Sequence, residues 1–556
     1  MLSTLLVCKV FLFFVQLAHQ QAVLAQEAPL IETSLGRIRG SVLTSRKGRD
    51  IYAYRGIYYA EAPIGSRRFA APEPVQAWND TLNALADGPM CPQELTGALM
   101  DEDCLSLNVY TTNETASNPV VVYIHGGANK AGSANSEIDA GPQYLLDEDI
   151  VLVGIFFRVG AFGFLSTGTE EAPGNYGHLD QVLALKWVKE HIYNFGGDPN
   201  RVTLLGQSAG SFAVTLHLVS PLSAGLFHGA IALSGSTTHQ YLLDNKYWSR
   251  RLAYDLGCPM YEAKYLVNCL RQISWEEITN ASVRWDTYGI LGSNWNFEID
   301  GNFVLEDPSE AIGGNRINRV PIITGVTQDE LDFDSQFIQN NTDLIADIDM
   351  NFGLYAREFF EFNSTGNDDE RAKSIRQFYY NESSINQYNL LGIGQILSDA
   401  LIGHGVYRLV QLAKDHTNVY YYRFDYVGEK SWFPDSAGMS QGACHGDDLN
   451  YILKRRYLEI NDNSTDMLMV ERMTNLVASF AANGSPPAID NITWSPYTAN
   501  NTVVMYLNSN SSTGDPFYVD RYALWDKLFP LAESSAGTQL PAVVLWAFAA
   551  AWNILF

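Results

Sequence analysis

The sequence predicts an α/β protein with a large, doubly wound, mostly parallel central sheet flanked by helices, and three observations predict it. Apolar runs without polar alternation recur along the chain, bounded by Gly, Pro and Asn. Runs that continuous suit parallel strands covered on both faces. Between two of them Leu179, Val182, Leu185, Val188 and Ile192 recur at helical spacing. No internal repeat or long low-complexity linker divides the chain, so strands alternating with helices are expected to form one domain.

Taken in order, strands are expected at 120–124, 150–157, 201–205, 230–233, 320–323 and 419–424, with a helix over 179–192 and a terminal helical stretch at 521–529. The organisation expected is a leader at 1–25, one domain over 26–530 and a hydrophobic tail over 531–556. With 556 residues, 46% of them hydrophobic and 12% aromatic, the chain suffices for a large core and has a globular composition. Its formal net charge of -26 repels phosphate backbones, which argues against nucleic acid as a partner. Solubility in a secretory or extracellular setting accounts for that charge.

Residues 1–25 hold an apolar run too short for a membrane span and read as a cleaved signal peptide. Removal of Cys8 with it leaves Cys91, Cys104, Cys258, Cys269 and Cys444. The short spacings of Cys91 with Cys104 and of Cys258 with Cys269 predict two bridged loops in an oxidising compartment. No C-x-x-C pair supports zinc, so neither metal nor cofactor is expected. Asn-x-Ser/Thr sequons begin at Asn79, Asn113, Asn280, Asn340, Asn363, Asn381, Asn463, Asn491, Asn500 and Asn510, which predicts a glycosylated surface. At the other end, a small polar segment over 533–539 precedes residues 540–556, apolar except for Asn553. An apolar tail without a basic cytoplasmic end reads as a signal for glycosylphosphatidylinositol attachment at Ser534 or Ser535, and hence as a lipid anchor to the outer leaflet.

Two loops carry chemistry. The first is Gly206-Gln-Ser208-Ala-Gly210, at the end of the strand expected at 201–205. About 0.2 matches to G-x-S-x-G are expected by chance in a chain this long, so the pattern depends on its context. Here a strand precedes it and small residues follow, the setting in which a serine on a tight strand-to-helix bend becomes an exposed nucleophile. The helix N-terminus that follows points N–H groups at developing negative charge. The second loop, His125-Gly126-Gly127-Ala128, ends another strand upstream, and its small residues let backbone N–H groups approach an oxyanion.

Longer motifs then fall into one order: Tyr58-Tyr-Ala-Glu-Ala-Pro63 with Arg68-Phe69, Glu102-Asp-Cys-Leu105 with Asn108, Gly174-Asn-Tyr-Gly-His-Leu-Asp-Gln181, Leu185-Lys-Trp-Val188, Phe195-Gly-Gly-Asp-Pro199 and the Ser208 loop. Together they resemble the type-B carboxylesterase and cholinesterase family over nearly the whole mature chain, and the wording around Ser208 is similar to that of insect members. The resemblance implies the α/β-hydrolase fold, a small-molecule ester as substrate and a Ser–Glu–His triad. The acid matches Glu330 in Gly325-Val-Thr-Gln-Asp-Glu330 and the base His445 in Gly442-Ala-Cys-His445-Gly-Asp-Asp-Leu449. Residue patterns alone leave Asp329 and Glu330 equally open as the acid. The family's oxyanion donors fall on the N–H groups of Gly127, Ala128 and Ala209. Its buried ion pairs fall on Arg68 with Glu102 and Arg158 with Asp180, while Cys444 reads as a buried, inert thiol.

The chain departs from the pattern at four places. Ala128 stands where many members have a third glycine, and Leu331 where the family has Gly after the acid. Gln207 stands where cholinesterases carry Glu beside the nucleophile. The segment between Cys91 and Cys104 lacks the Trp on which cholinesterases hold the quaternary ammonium of choline. The expectation is therefore a secreted or cell-surface serine esterase that acts on uncharged esters through an acyl-enzyme. The alternative is a silent or dual-role cell-adhesion member of the same family.

Overall fold

The computed structural model describes residues 28–531 apart from 95–98, 240–243, 284–294, 333–334, 336–337, 360–367, 382, 435–439, 459 and 461–463. The expected signal peptide, Asn363, Asn463, Ser534, Ser535 and all of the tail beyond Leu531 lie outside the described residues.

Among the described residues fourteen strands follow in chain order: β1 (Leu30–Thr33), β2 (Gly36–Arg39), β3 (Ser41–Thr44), β4 (Asp50–Tyr58), β5 (Leu82–Asn83), β6 (Ser106–Thr111), β7 (Asn118–Ile124), β8 (Val151–Ile155), β9 (Gly197–Gln207), β10 (Gly229–Leu233), β11 (Ile322–Thr327), β12 (Val419–Phe424), β13 (Val504–Leu507) and β14 (Ser512–Gly514). Strands β1, β2 and β5 form a small sheet, and the other 11 form one large sheet in the order β14-β13-β12-β11-β10-β9-β7-β8-β6-β4-β3. Neighbours from β8 to β13 pair in parallel, whereas β3, β4, β6 and β14 add antiparallel edges.

The apolar runs become strands because both faces of the sheet need covering. In β7, Val120, Val122 and Ile124 point into one core while Val121 and Tyr123 point into the other. Ile322 and Ile323 of β11 divide in the same way. A period of two with both faces apolar leaves no polar alternation, which is why these segments read as continuous runs. The helix expected at 179–192 is Tyr176–His191, followed by a 3-10 turn over Ile192–Phe195. The terminal stretch is the helix Val519–Leu528.

The expected covalent and ionic ties are present. Cys91 is bonded to Cys104 and Cys258 to Cys269, with Cα–Cα separations of 5.0 and 5.8 Å. Arg158 donates Nε and Nη2 to the two carboxylate oxygens of Asp180 at 2.8 and 2.7 Å. Arg68 pairs with Glu102 in the same two-pronged way, and its Nη1 reaches the carbonyls of Leu270 and Ile273. These arginines pin the segments around 68–70 and 270–273, which no sheet pairing holds.

Candidate active site

The carboxyl ends of neighbouring parallel strands converge at one place in the sheet, where open α/β proteins bind their ligands. Ser208 follows β9 directly, with φ 57° and ψ −127°, and the helix Ala209–Val219 begins at the next residue. A positive φ at a residue with a side chain costs on the order of 1–3 kcal/mol and persists only where its surroundings enforce it. Here the Ser208 N–H donates to the Leu233 carbonyl of β10 at 2.9 Å, and its own carbonyl accepts from Phe212 at 3.0 Å. A Cβ on Gly206 would lie 2.1 Å from the Gly210 carbonyl oxygen, and one on Gly210 would lie 2.0 Å from that of Ile124. The two glycines of the motif therefore let the strand, the helix and β7 close to within backbone contact around Ser208.

The loop after β7 turns sharply through Gly127 at φ 112° and Ala128 at φ 54°. Lys130 and Ala131 both donate to the Gly127 carbonyl at 3.0 Å, and Gly160 donates to that of Asn129 at 2.6 Å. Among the described residues no hydrogen bond takes the N–H groups of Gly127 or Ala128, and Ala209, first in its helix, has no carbonyl four residues back in that helix. Gln93, from the loop closed by Cys91 and Cys104, holds Gly132 from both sides. Its amide oxygen accepts from the Gly132 N–H at 2.6 Å and its amide nitrogen donates to the carbonyl at 3.0 Å. His125 stacks on Phe157 with ring centroids 4.1 Å apart, and burial lowers its imidazole to about 4. Neutral, it donates Nδ1–H to the Gly126 carbonyl at 2.9 Å. A cleft lined by Lys130, Phe162, Ile278 and Trp295 lies against this loop.

Glu330 and His445 meet beside Gln207, the residue before Ser208. Glu330 lies three residues past β11, and its Oε1 accepts the Thr327 N–H at 2.8 Å. Its Oε2 lies 2.6 Å from His445 Nδ1, both residues being buried. Asp329, the other candidate acid, turns to the Ala443 N–H at 3.0 Å, and burial raises its carboxyl. Of the two carboxylates that the residue pattern leaves open, Glu330 is the one on the imidazole.

Further groups brace this pair. Ser398, at the start of a π-helical turn over Ser398–Gly403, accepts from the Leu331 N–H at 2.8 Å and donates to Asp332 at 3.0 Å. Leu331, directly after Glu330, is buried and packs into the core. Tyr422 of β12 donates its hydroxyl to Asp448 at 2.7 Å. Burial raises the Asp448 carboxyl to about 7, the Tyr422 hydroxyl opposing the rise and the charge of Glu330 adding to it. Cys444 is a free, buried thiol that burial raises to about 12. It is a poor nucleophile by that measure. Sequence reasoning misses Gln93, Ser398, Tyr422 and Asp448, because each acts through a contact between distant segments that no local spacing records.

A family model described as "Carboxylesterase family" matches residues 27–525. Juvenile hormone esterase of Tribolium castaneum is 33% identical over 560 residues, covering 90% of this chain and 93% of its own. Esterase FE4 of Myzus persicae is 34% identical over 504 residues, covering 86% and 88%. Among solved structures, that of juvenile hormone esterase from Manduca sexta with OTFP covalently attached is similar at a TM-score of 0.82 and 25% identity, covering 90% of this chain and 100% of that one.

Proposed function

This chain belongs to the carboxylesterase family and is a carboxylic-ester hydrolase, and from that premise we propose that it cleaves uncharged esters through an acyl-enzyme on Ser208. Ser208 Oγ attacks the ester carbonyl carbon as His445 Nε2 takes its proton. The carbonyl oxygen gains the charge and faces the N–H groups of Gly127, Ala128 and Ala209. His445 then passes the proton to the departing alcohol, and a water molecule repeats the sequence to release the acid. Glu330 orients the imidazole and stabilises its charged form. The observation that carries the reading is the 2.6 Å contact between Glu330 and His445 beside a serine held at positive φ. The adhesive reading stands second, because Ser208, Glu330 and His445 are all in place.

Partitioning tests the covalent step. With methanol present, acetates of different phenols should yield one constant ratio of methyl acetate to acetate, because all pass through the same acetylated Ser208. A ratio that varies with the leaving group would contradict the acyl-enzyme.

We also propose a secreted, glycosylated protein, held on the outer leaflet by a lipid anchor at Ser534 or Ser535. Asn79, Asn113, Asn280, Asn340, Asn381, Asn491, Asn500 and Asn510 are all exposed, as glycan acceptors must be. Phosphatidylinositol-specific phospholipase C applied to intact expressing cells should release esterase activity into the medium. Activity that stays with the cells, or that is free before treatment, would contradict the anchor.

A further inference from the structure

Gln207 ends β9 one residue before Ser208, and its side chain is buried at 8% exposure. Its amide nitrogen lies 3.1 Å from His445 Nε2. The other ring nitrogen faces Glu330. An ionised carboxylate only accepts, so Nδ1 carries the proton and the neutral ring offers Nε2 as a lone pair. The amide nitrogen therefore donates to that lone pair, whereas a flipped amide would set its oxygen against it. Two glycines shape the slot: a Cβ on Gly446 would lie 3.3 Å from the amide nitrogen and one on Gly126 3.1 Å from the amide oxygen. Gly446 follows the base directly, and Gly126 opens the loop that ends β7. Gln207 thus bridges the nucleophile's strand, the oxyanion loop and the base.

We propose that Gln207 is a positioning residue, which holds the neutral His445 imidazole by donating its amide N–H to Nε2 and so sets the pH at which the base becomes available. The inference rests on the assignment of Ser208 as nucleophile and His445 as base. A donor to Nε2 favours the neutral ring, because after protonation at Nε2 two donors would face each other. Among the described residues, titratable groups that face His445 include Glu330 from the turn after β11 and Asp448 from its own loop, the latter bonded to Tyr422 of β12. Gln207 and Ser208 on the β9 side carry no charge. Gln207 also delays general-base action until substrate arrives, because Ser208 must win the same lone pair.

The test is the pH profile of kcat/KM for a neutral p-nitrophenyl ester, between pH 5 and 9, with the full chain and its Gln207→Glu and Gln207→Met variants. Glutamate accepts from the charged ring, and methionine removes the donor at similar volume. The acidic limb should move to higher pH in both, by about one unit or more for Glu and by less for Met. Glu330 and Asp448 are unchanged in all three proteins, so their contribution cancels in the shift. Coincident limbs in wild type and the Met variant, or a limb that moves down, would overturn the proposal, and the Met variant decides alone if the Glu variant fails to fold. Wild-type protein that turns over no ester and takes no fluorophosphonate label would instead overturn the assignment of Ser208 and His445 beneath it.

Discussion

Glu330 holds His445 twice across 115 residues of chain. Its carboxylate lies 2.6 Å from the ring nitrogen Nδ1, and its backbone carbonyl accepts the N–H of the same histidine at 2.9 Å. The main-chain bond fixes the loop and the side-chain bond fixes the ring, so the imidazole keeps one orientation. Asp329, next in sequence, is spent on the Ala443 N–H.

Replacement of Glu330 by Gln should therefore lower kcat/KM for a neutral ester about a thousandfold or more, as loss of the orienting acid does in serine triads. Asp329→Asn should cost less than about tenfold, since its carboxylate holds the Ala443 N–H and the Gln328 side chain and does not reach the imidazole. Purified variants assayed side by side decide it, and equal losses would contradict the division of roles.

Choline esters should be poor substrates beside uncharged acetates of similar size, because no Trp stands between Cys91 and Cys104 to hold a quaternary ammonium. The ratio of kcat/KM for acetylthiocholine to that for a neutral thioacetate measures this. A ratio above one would contradict it.

Asp180→Asn should destabilise the fold by about 3–5 kcal/mol, the usual cost of leaving one partner of a buried ion pair uncompensated. The Arg158 and Asp180 side chains are 3% and 0% exposed, and Arg158 also reaches the Ala70 carbonyl. Urea unfolding followed by tryptophan fluorescence gives the change. Replacing both partners with apolar residues of similar volume should recover much of the loss.

Asp448 should make stability depend on pH. Burial raises its carboxyl to about 7, so the folded state keeps a proton that the unfolded chain releases near the ordinary carboxylate pKa of about 4. The stability linked to that proton is complete below about pH 4 and is lost as pH rises through about 7. An asparagine side chain at this position cannot titrate. The urea midpoint of wild type should fall relative to that of Asp448→Asn between pH 5 and pH 8, and parallel midpoints would contradict the shift.

The interior of the fold is legible in the sequence because its physics is local. The run at 419–424 is β12 residue for residue, and that at 120–124 lies within β7, which is buried from Pro119 to Ile124. A parallel strand covered on both faces is largely apolar, and that leaves a mark in the sequence. The antiparallel edges β3, β4, β6 and β14 carry weaker patterns and emerge only in the structure. In β3 three residues are half-buried and one exposed, so neither run nor alternation marks it. Within the site, the glycines around Ser208 announce a close approach through their spacing at the end of an expected strand. The choice between Asp329 and Glu330 depends on how one turn presents two adjacent carboxylates, and sequence spacing does not record that. The Gln207–His445 contact spans 238 residues and follows only from the folded register of β9.

The central claim is that Ser208 is the nucleophile, and a fluorophosphonate probe tests it most directly. The glycosylated protein should incorporate one probe per chain, with the added mass on the peptide containing Ser208. Ser208→Ala should lose both label and esterase activity while it unfolds at the same temperature as wild type. Label on another residue, or activity that survives in Ser208→Ala, would contradict the account.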